Sequence, residues 1–360
     1  MNDIDMSGGD PIEPRKKRSG FVWLAGLCLL LLSGLGVSYL TGFGPGVLNE
    51  PKAPELSIAT SGWRPRKPIE LVVMAGEGGG ADRLARMVQS VIETHRLSNQ
   101  PIVVVNKGGE SGGEAMRYLK SKAGDPHVLM MTLNSVYTTP LRQPELGLSL
   151  EDYTPVARLT EGSFVLWVNA ESDIHTVGDY VVAVRAAGPK NWKMGGTGRG
   201  QEDSIPTALL EQAYGIEHGY VTYASGGKVA EGLINGEIDA TVNTPSEQMA
   251  HYMAGKSRPL AAFTANRISV LPDVPTFREL GRDLVYFMQR SVVAAPGIPP
   301  EVQAYYQGLL HRGCLTEEWD DYLEKTGLAH TFLPGRPLMT YFLDERERHR
   351  ELLTSMGEAF

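Results

Sequence analysis

Residues 69–94 read IELVVMAGEGGGADRLARMVQSVIET: a short continuous apolar run, a loop with four glycines, then apolar residues at helical spacing. Continuous apolar runs suit strands covered on both faces, and a 3.6-residue period suits a helix packed along one side. The same alternation continues through a β-rich run at 102–105, helical periodicity at 114–122 and another apolar run at 128–132. This βαβαβ order predicts a parallel sheet with right-handed crossovers and ligands at the C-terminal strand edge. A second series has strand candidates at 164–169, 192–194, 219–222, 239–242 and 260–264, with helical stretches between them. Five further strands exceed what one sheet would take as decoration, so two α/β lobes are expected. Gly/Ser/Thr loops facing one another across a cleft would enclose a small molecule.

The whole chain has 360 residues, 42% hydrophobic and 21% charged, enough for two domains and too apolar for disorder. Its 41 glycines and 23 prolines follow no collagen-like period and read as turns. A formal charge of −8, with no long basic stretch, excludes nucleic acid as an expected partner. Residues 21–40 (FVWLAGLCLLLLSGLGVSYL) carry no charge and match the hydrocarbon thickness of a bilayer. Arg15-Lys16-Lys17-Arg18 stands just before them and is expected to stay in the cytoplasm, placing the rest outside. An uncleaved anchor in the inner membrane fits better than a cleaved signal, because the only small-x-small site, Gly34-Leu35-Gly36, falls inside the run. Leu27 before Cys28 argues against lipidation. Residues 41–66 have no apolar periodicity and read as a linker, so folding is expected to begin near Lys67. Only Cys314 remains beyond the anchor, which excludes an intramolecular disulfide there; a buried, inert thiol is expected.

Three loops imitate known motifs. Gly76, Gly78 and Ala81 have the spacing of a dinucleotide fingerprint, but the second strand ends Val104-Val105-Asn106 without the required acid. What survives is a set of backbone amides at a helix N-terminus, suited to a carboxylate; Asp82 would oppose an anion and reads as first-turn helix stabilisation. Gly109-Glu110-Ser111-Gly112-Gly113 matches the nucleophile elbow of α/β hydrolases, although it follows only the second strand; His330 is a possible downstream partner. In the competing reading Ser111 offers its hydroxyl to a bound carboxylate. Gly255-Lys256-Ser257 lacks the upstream glycine of a phosphate loop, since Ala250 stands there. The eight histidines show no metal-ligand spacing, and neither a metal nor a cofactor is expected. In the second lobe Gly195-Gly196-Thr197-Gly198-Arg199-Gly200-Gln201 links strand to helix, and Arg199 offers a guanidinium for a bidentate carboxylate contact. Further hydroxyls and amides come from 223–227 and 243–246.

The stretch Leu271-Pro272-Asp273-Val274-Pro275-Thr276-Phe277-Arg278-Glu279-Leu280-Gly281 resembles the L-P-D-V-P-T-x-x-E-x-G signature of the tripartite tricarboxylate transporter solute-binding proteins, the Bug-type receptors. Residues 79–86, 103–107, 235–240 and 295–302 agree with the same family. The resemblance implies a periplasmic-binding-protein (Venus flytrap) fold crossing between lobes near 164–169 and 290–294. The resemblance runs from about 68 to 360, and with the N-terminal reading above it divides the chain into a cytoplasmic N-terminus (1–20), anchor or signal (21–40), linker (41–66), lobe one (67–165 and 291–360) and lobe two (166–290); an anchor is unusual in that family. It also implies a non-enzymatic receptor that passes a small organic acid to membrane permease subunits. Its first lobe would contact the acid through Gly78, Gly79, Gly80, Ser111, Gly112, Asn134 and Ser135, its second through Thr197, Arg199, Ser225 and Thr244. Departures from the family, Ala81 for a threonine and Glu110 in the second loop, leave the acid unnamed. An anchored sensor, or a secreted serine hydrolase using Ser111, are the alternatives.

Overall fold

The computed structural model describes residues 61–198 and 200–355. Strands and helices alternate from the start: β1 (Ile69–Val73), α1 (Gly80–Thr94), β2 (Ile102–Asn106), α2 (Gly113–Ser121), β3 (Val128–Thr132) and α3 (Ser135–Arg142). β4 (Thr154–Ser163) leads into the second lobe, which runs β5 (Val165–Asn169), α4 (Val177–Ala187), β6 (Lys193–Gly196), α5 (Ser204–Tyr214), β7 (Gly219–Thr222), α6 (Gly226–Ile234), β8 (Ala240–Asn243), α7 (Pro245–Met253) and β9 (Ser257–Ala262). The chain then returns through β10 (Phe287–Ala294) to α8 (Pro300–Gly313), α9 (Glu317–Thr326), β11 (Leu328–Pro334) and α10 (Arg336–Ser355).

The strands form two sheets, a six-stranded one ordered β11-β4-β10-β3-β1-β2 and a five-stranded one ordered β7-β6-β8-β5-β9. The expected parallel pairing holds for β2-β1-β3 and for β7-β6-β8. It does not extend further: β10, β4 and β11 join the first sheet antiparallel, and β5 pairs antiparallel with both β8 and β9. Both sheets are therefore mixed. The reason lies in the crossings, since a strand that enters from the other lobe arrives pointing the opposite way.

The two crossings run side by side. Phe263 donates its amide to Phe164 at 2.9 Å, and Tyr286 donates to Phe263 at 2.9 Å, so three backbone segments are stitched where the lobes meet. The expected boundary at 290–294 is corrected by this arrangement, because residue 291 lies inside β10, whose pairing with the first sheet starts at Phe287. Val165 likewise belongs to the second sheet, pairing with Asn243 and Ala262. The folded part also starts before Lys67: Trp63 packs 5.1 Å from Tyr305 and 5.7 Å from Tyr306, and Pro65 is buried. Aromatic burial here outweighs the linker-like composition.

The L-P-D-V-P-T stretch closes the edge of the second sheet. Ala262 donates to Pro275 at 2.9 Å, Phe277 donates to Ala262 at 3.0 Å, and Leu271, Val274 and Phe277 are buried. Thr276 and Glu279 cap one another, at 3.1 and 2.8 Å. Its role is architectural. Cys314 is half-buried with its thiol pushed up to about 12 by desolvation, which makes it unreactive. Among the described residues no helix is long and apolar enough to cross a membrane; residues 21–40 lie outside the described residues.

Candidate functional site

The strand-end loops of both sheets converge on a small cavity of about 70 Å³. That is room for several water-sized groups, hence for one compact solute. Met74, Ala75, Gly76, Gly79, Gly80, Ala81, Gly108 and Leu133 line it from the β1, β2 and β3 ends, with Met288 and Arg290 from β10. Thr197, Gln201, Glu202, Asp203, Ala224, Ser225, Gly226, Asn243 and Glu247 line it from the second sheet, and Phe164 stands at the crossing. The facing loops touch through their backbones. A Cβ on Gly227 would lie 2.6 Å from the carbonyl oxygen of Gly78, and one on Gly76 would collide with the carbonyl oxygen of Ala224. Glycine is needed at both positions because only hydrogen fits between the two chains.

Four of the residues expected from the sequence, Gly79, Gly80, Thr197 and Ser225, line the cavity. The others lie elsewhere or have their polar groups engaged. Gly78 donates its amide to Asp82 at 3.0 Å, and Asp82 also accepts from Arg86 at 3.1 Å, which together hold its carboxyl below the usual range against the opposing effect of burial. Asn134 is saturated by structural bonds: it donates to Tyr286 at 3.1 Å and to the Phe287 carbonyl at 3.0 Å, and accepts from the Gln289 amide at 2.9 Å. Ser135 donates its amide to Glu202 at 2.5 Å. Thr244 donates its hydroxyl to Glu247 at 2.9 Å and its amide at 3.4 Å, the second being the capping-box bond of α7. Ser111 and Gly112 form a single 3-10 turn that is absent from the cavity wall, where Thr139 donates to the Ser111 carbonyl at 2.7 Å. His330 is exposed on β11, 3.7 Å from Asp320. Arg199 lies outside the described residues.

Three carboxyl groups and a guanidinium were not anticipated. Asp203 accepts from the Thr197 amide at 2.6 Å, the Thr197 hydroxyl at 2.8 Å and Tyr220 at 2.8 Å. Desolvation nonetheless dominates and raises it to about 7. Burial also raises Glu202. Glu247 accepts from the Gly80 amide at 2.9 Å, reaching from the second lobe to the N-terminus of α1 in the first.

Arg290 is fully buried, with 0% exposure, in the middle of β10. Its Nη1 donates to the Gly80 carbonyl at 3.3 Å and its Nη2 to the Ser246 hydroxyl at 3.4 Å, both long contacts, while its Nε has no partner. Desolvation lowers its pKa, with Glu247 and Glu202 opposing that effect from a distance. Burying a charge without a hydrogen-bonded counter-ion is costly, and this guanidinium stands under-coordinated on the cavity wall. Among the described residues it is the cavity's one cationic wall residue. Among them, no cluster of histidine, cysteine and acid could hold a metal ion.

Two sheets joined by paired crossings, with a cavity at their facing strand ends, define a protein of the periplasmic-binding-protein type. Solved relatives share that fold: the periplasmic binding protein BugD, at TM-score 0.76 and 18% identity, covers 82% of this chain and 99% of its own. MatC from Rhodopseudomonas palustris with bound malate aligns at 0.73 and 22% identity, covering 80% and 99%. An R. palustris protein with adipate aligns at 0.77 and 23%, covering 82% and 99%. By sequence, BugT of Bordetella pertussis is 26% identical over 248 residues, 66% of this chain and 73% of that protein. The profile of the tripartite tricarboxylate transporter family receptor matches residues 84–357, and the chain belongs to that family of solute-binding receptors.

Proposed function

We propose that this chain is a periplasmic receptor that closes its two lobes over a small organic acid and passes it to the permease subunits of a tripartite transporter. The observation that carries the reading is Arg290: a fully buried guanidinium, lacking a carboxylate partner, on the wall of the cavity between the sheets. A ligand carboxylate there would supply the missing counter-charge and form charge-assisted hydrogen bonds. The malate and adipate of the two solved relatives support a carboxylate as the ligand. Gly79, Gly80, Thr197 and Ser225 would complete the contact surface, with Arg199 from the neighbouring loop. Gly78, Ser111, Gly112, Asn134, Ser135 and Thr244 would act by shaping the loops. The uncharged run 21–40 after four basic residues supports tethering at the inner membrane, within reach of the permease.

A thermal-shift screen of the purified chain against acetate, malate, adipate and citrate tests this. A ligand that binds only the folded state raises the melting temperature. The reading predicts a concentration-dependent rise with at least one of these acids and none with uncharged amides of the same size. Equal shifts for acid and amide would contradict it.

A further inference from the structure

The backbone amides at the helix N-termini of the first lobe are the groups from which the sequence builds an anion site, yet the chain's own carboxylates hold two of them. Glu247 spans the gap to α1. Its Oε2 accepts the Thr244 amide at 3.4 Å, the capping-box bond of α7, and also the Thr244 hydroxyl at 2.9 Å, while its Oε1 accepts the Gly80 amide at 2.9 Å. One side chain thereby caps a helix in each lobe. Glu202 caps α3 alone, accepting the Ser135 amide at 2.5 Å from the loop before α5. Both acids are nearly inaccessible, at 8% and 4% exposure.

These bonds form a ring with Arg290. Gly80 donates to Glu247, Glu247 accepts from Thr244, Thr244 shares a 2.7 Å hydrogen bond with Ser246, Ser246 accepts from Arg290, and Arg290 donates back to the carbonyl of Gly80. Separating the lobes would break the ring twice, between Gly80 and Glu247 and between Arg290 and Ser246, and leave two helix N-termini uncapped. It would also expose two carboxylates already oriented by their own loops. A carboxylate at a helix N-terminus is favoured by the amide donors and by the helix dipole together.

We infer that Glu247 and Glu202 are interlobe latches: each is a positioning residue that holds the lobes shut around the ligand by capping a helix of the opposite lobe. This deepens the receptor reading and rests on it. Latches that form on closure slow the release of ligand, because they must break before the cavity opens. They leave capture almost unchanged, because the encounter occurs with the lobes apart.

Two measurements on the full chain test the inference. The first needs no ligand: hydrogen exchange of peptides covering 78–84 and 133–138 in Glu202→Ala/Glu247→Ala against the unaltered chain. Loss of a charge-assisted bond predicts exchange about tenfold faster in those peptides, with β3 unchanged. The second is stopped-flow binding of whichever of malate or adipate gives the larger thermal shift. The inference predicts dissociation about tenfold faster with association unaltered, whereas a merely structural role would lower active fraction and leave both rate constants alone. Unchanged protection at 78–84 and 133–138, or unchanged dissociation, overturns it. If the double variant exchanges rapidly throughout, Glu202→Gln and Glu247→Gln keep an accepting oxygen and the side-chain volume. Dissociation in each should still quicken about threefold from the lost charge, and an unchanged rate overturns the inference. If none of acetate, malate, adipate and citrate binds the unaltered chain, the receptor reading fails while the exchange measurement still decides the latch.

Discussion

Gln289, Arg290 and Ser291 are consecutive, fully buried polar residues in the centre of β10. Polar residues at that depth persist only with partners, and Gln289 and Ser291 have theirs in Asn134, Thr132 and each other. Arg290 has only long contacts and an unpartnered Nε. Replacing it by methionine keeps most of the volume and removes the charge. Arg290→Met is therefore expected to weaken carboxylate binding at least about thirtyfold by calorimetry, while the unliganded melting temperature holds or rises. Little of this residue was legible in the sequence, because an arginine between Gln and Ser in a short run reads as a loop or an exposed edge. Glu247 was within reach: Thr244-Pro245-Ser246-Glu247 is a capping box with proline at the first helical position, and only its second, interlobe bond needed coordinates. Glycines 79 and 80 followed from the loop before α1, whereas the engagement of Asn134 and Ser135 depended on residues far away in sequence.

At the level of elements, the strands with continuous apolar runs were visible and the mixed-pattern strands were not. β3 and β7 fall where periodicity puts them, and β1, β2 and β8 within a residue at each end. β4 carries Pro155, Arg158 and Glu161, which hide a ten-residue strand; Arg158 and Glu161 pair at 2.6 Å, and Arg158 also donates to the Thr331 carbonyl of β11 at 3.0 Å. β11 ends in Pro334 on the sheet edge, where a missing amide is tolerated. The facing loops impose their own limits. Gly227→Ala places a Cβ against the Gly78 carbonyl, and Gly76→Ala places one against the Ala224 carbonyl. Each should hold the lobes apart and lower carboxylate affinity about tenfold or more, measured by calorimetry, with little change in far-ultraviolet circular dichroism. Full affinity in both variants would mean that these backbones need not meet.

Across the whole molecule, two buried titratable groups pull stability in opposite directions with pH. Desolvation lowers His349 to about 4, from 6.5, beside Tyr286 at 3.0 Å. The unfolded chain binds that proton first, so the contribution is complete above 6.5 and is lost as pH falls towards 4. Asp203 is raised to about 7 from 3.8, so the folded state keeps a proton that the unfolded chain releases; stability falls as pH rises from 4 to 7. Burial raises Glu161, Glu202 and Glu345 as well, so each assignment is read as a difference from the unaltered chain. Relative to that chain, the melting temperature of Asp203→Asn should rise as pH goes from 4 to 6.5 and that of His349→Gln should fall; curves parallel to the unaltered chain's would contradict both assignments.

The two-lobed architecture was predictable because each βαβ series must bury its own sheet, but the return through β10 was not, since its central residues Gln289, Arg290 and Ser291 are polar. In the proposed reading that cavity, rather than any single helix N-terminus, receives the ligand. Calorimetric titration of the full chain and of Arg290→Met, with the acid that gives the largest thermal shift, tests its chemistry most directly. A one-to-one isotherm for the unaltered chain that weakens at least about thirtyfold in the variant is the predicted result; equal affinities in the two proteins would contradict the assignment of Arg290 as the carboxylate's partner.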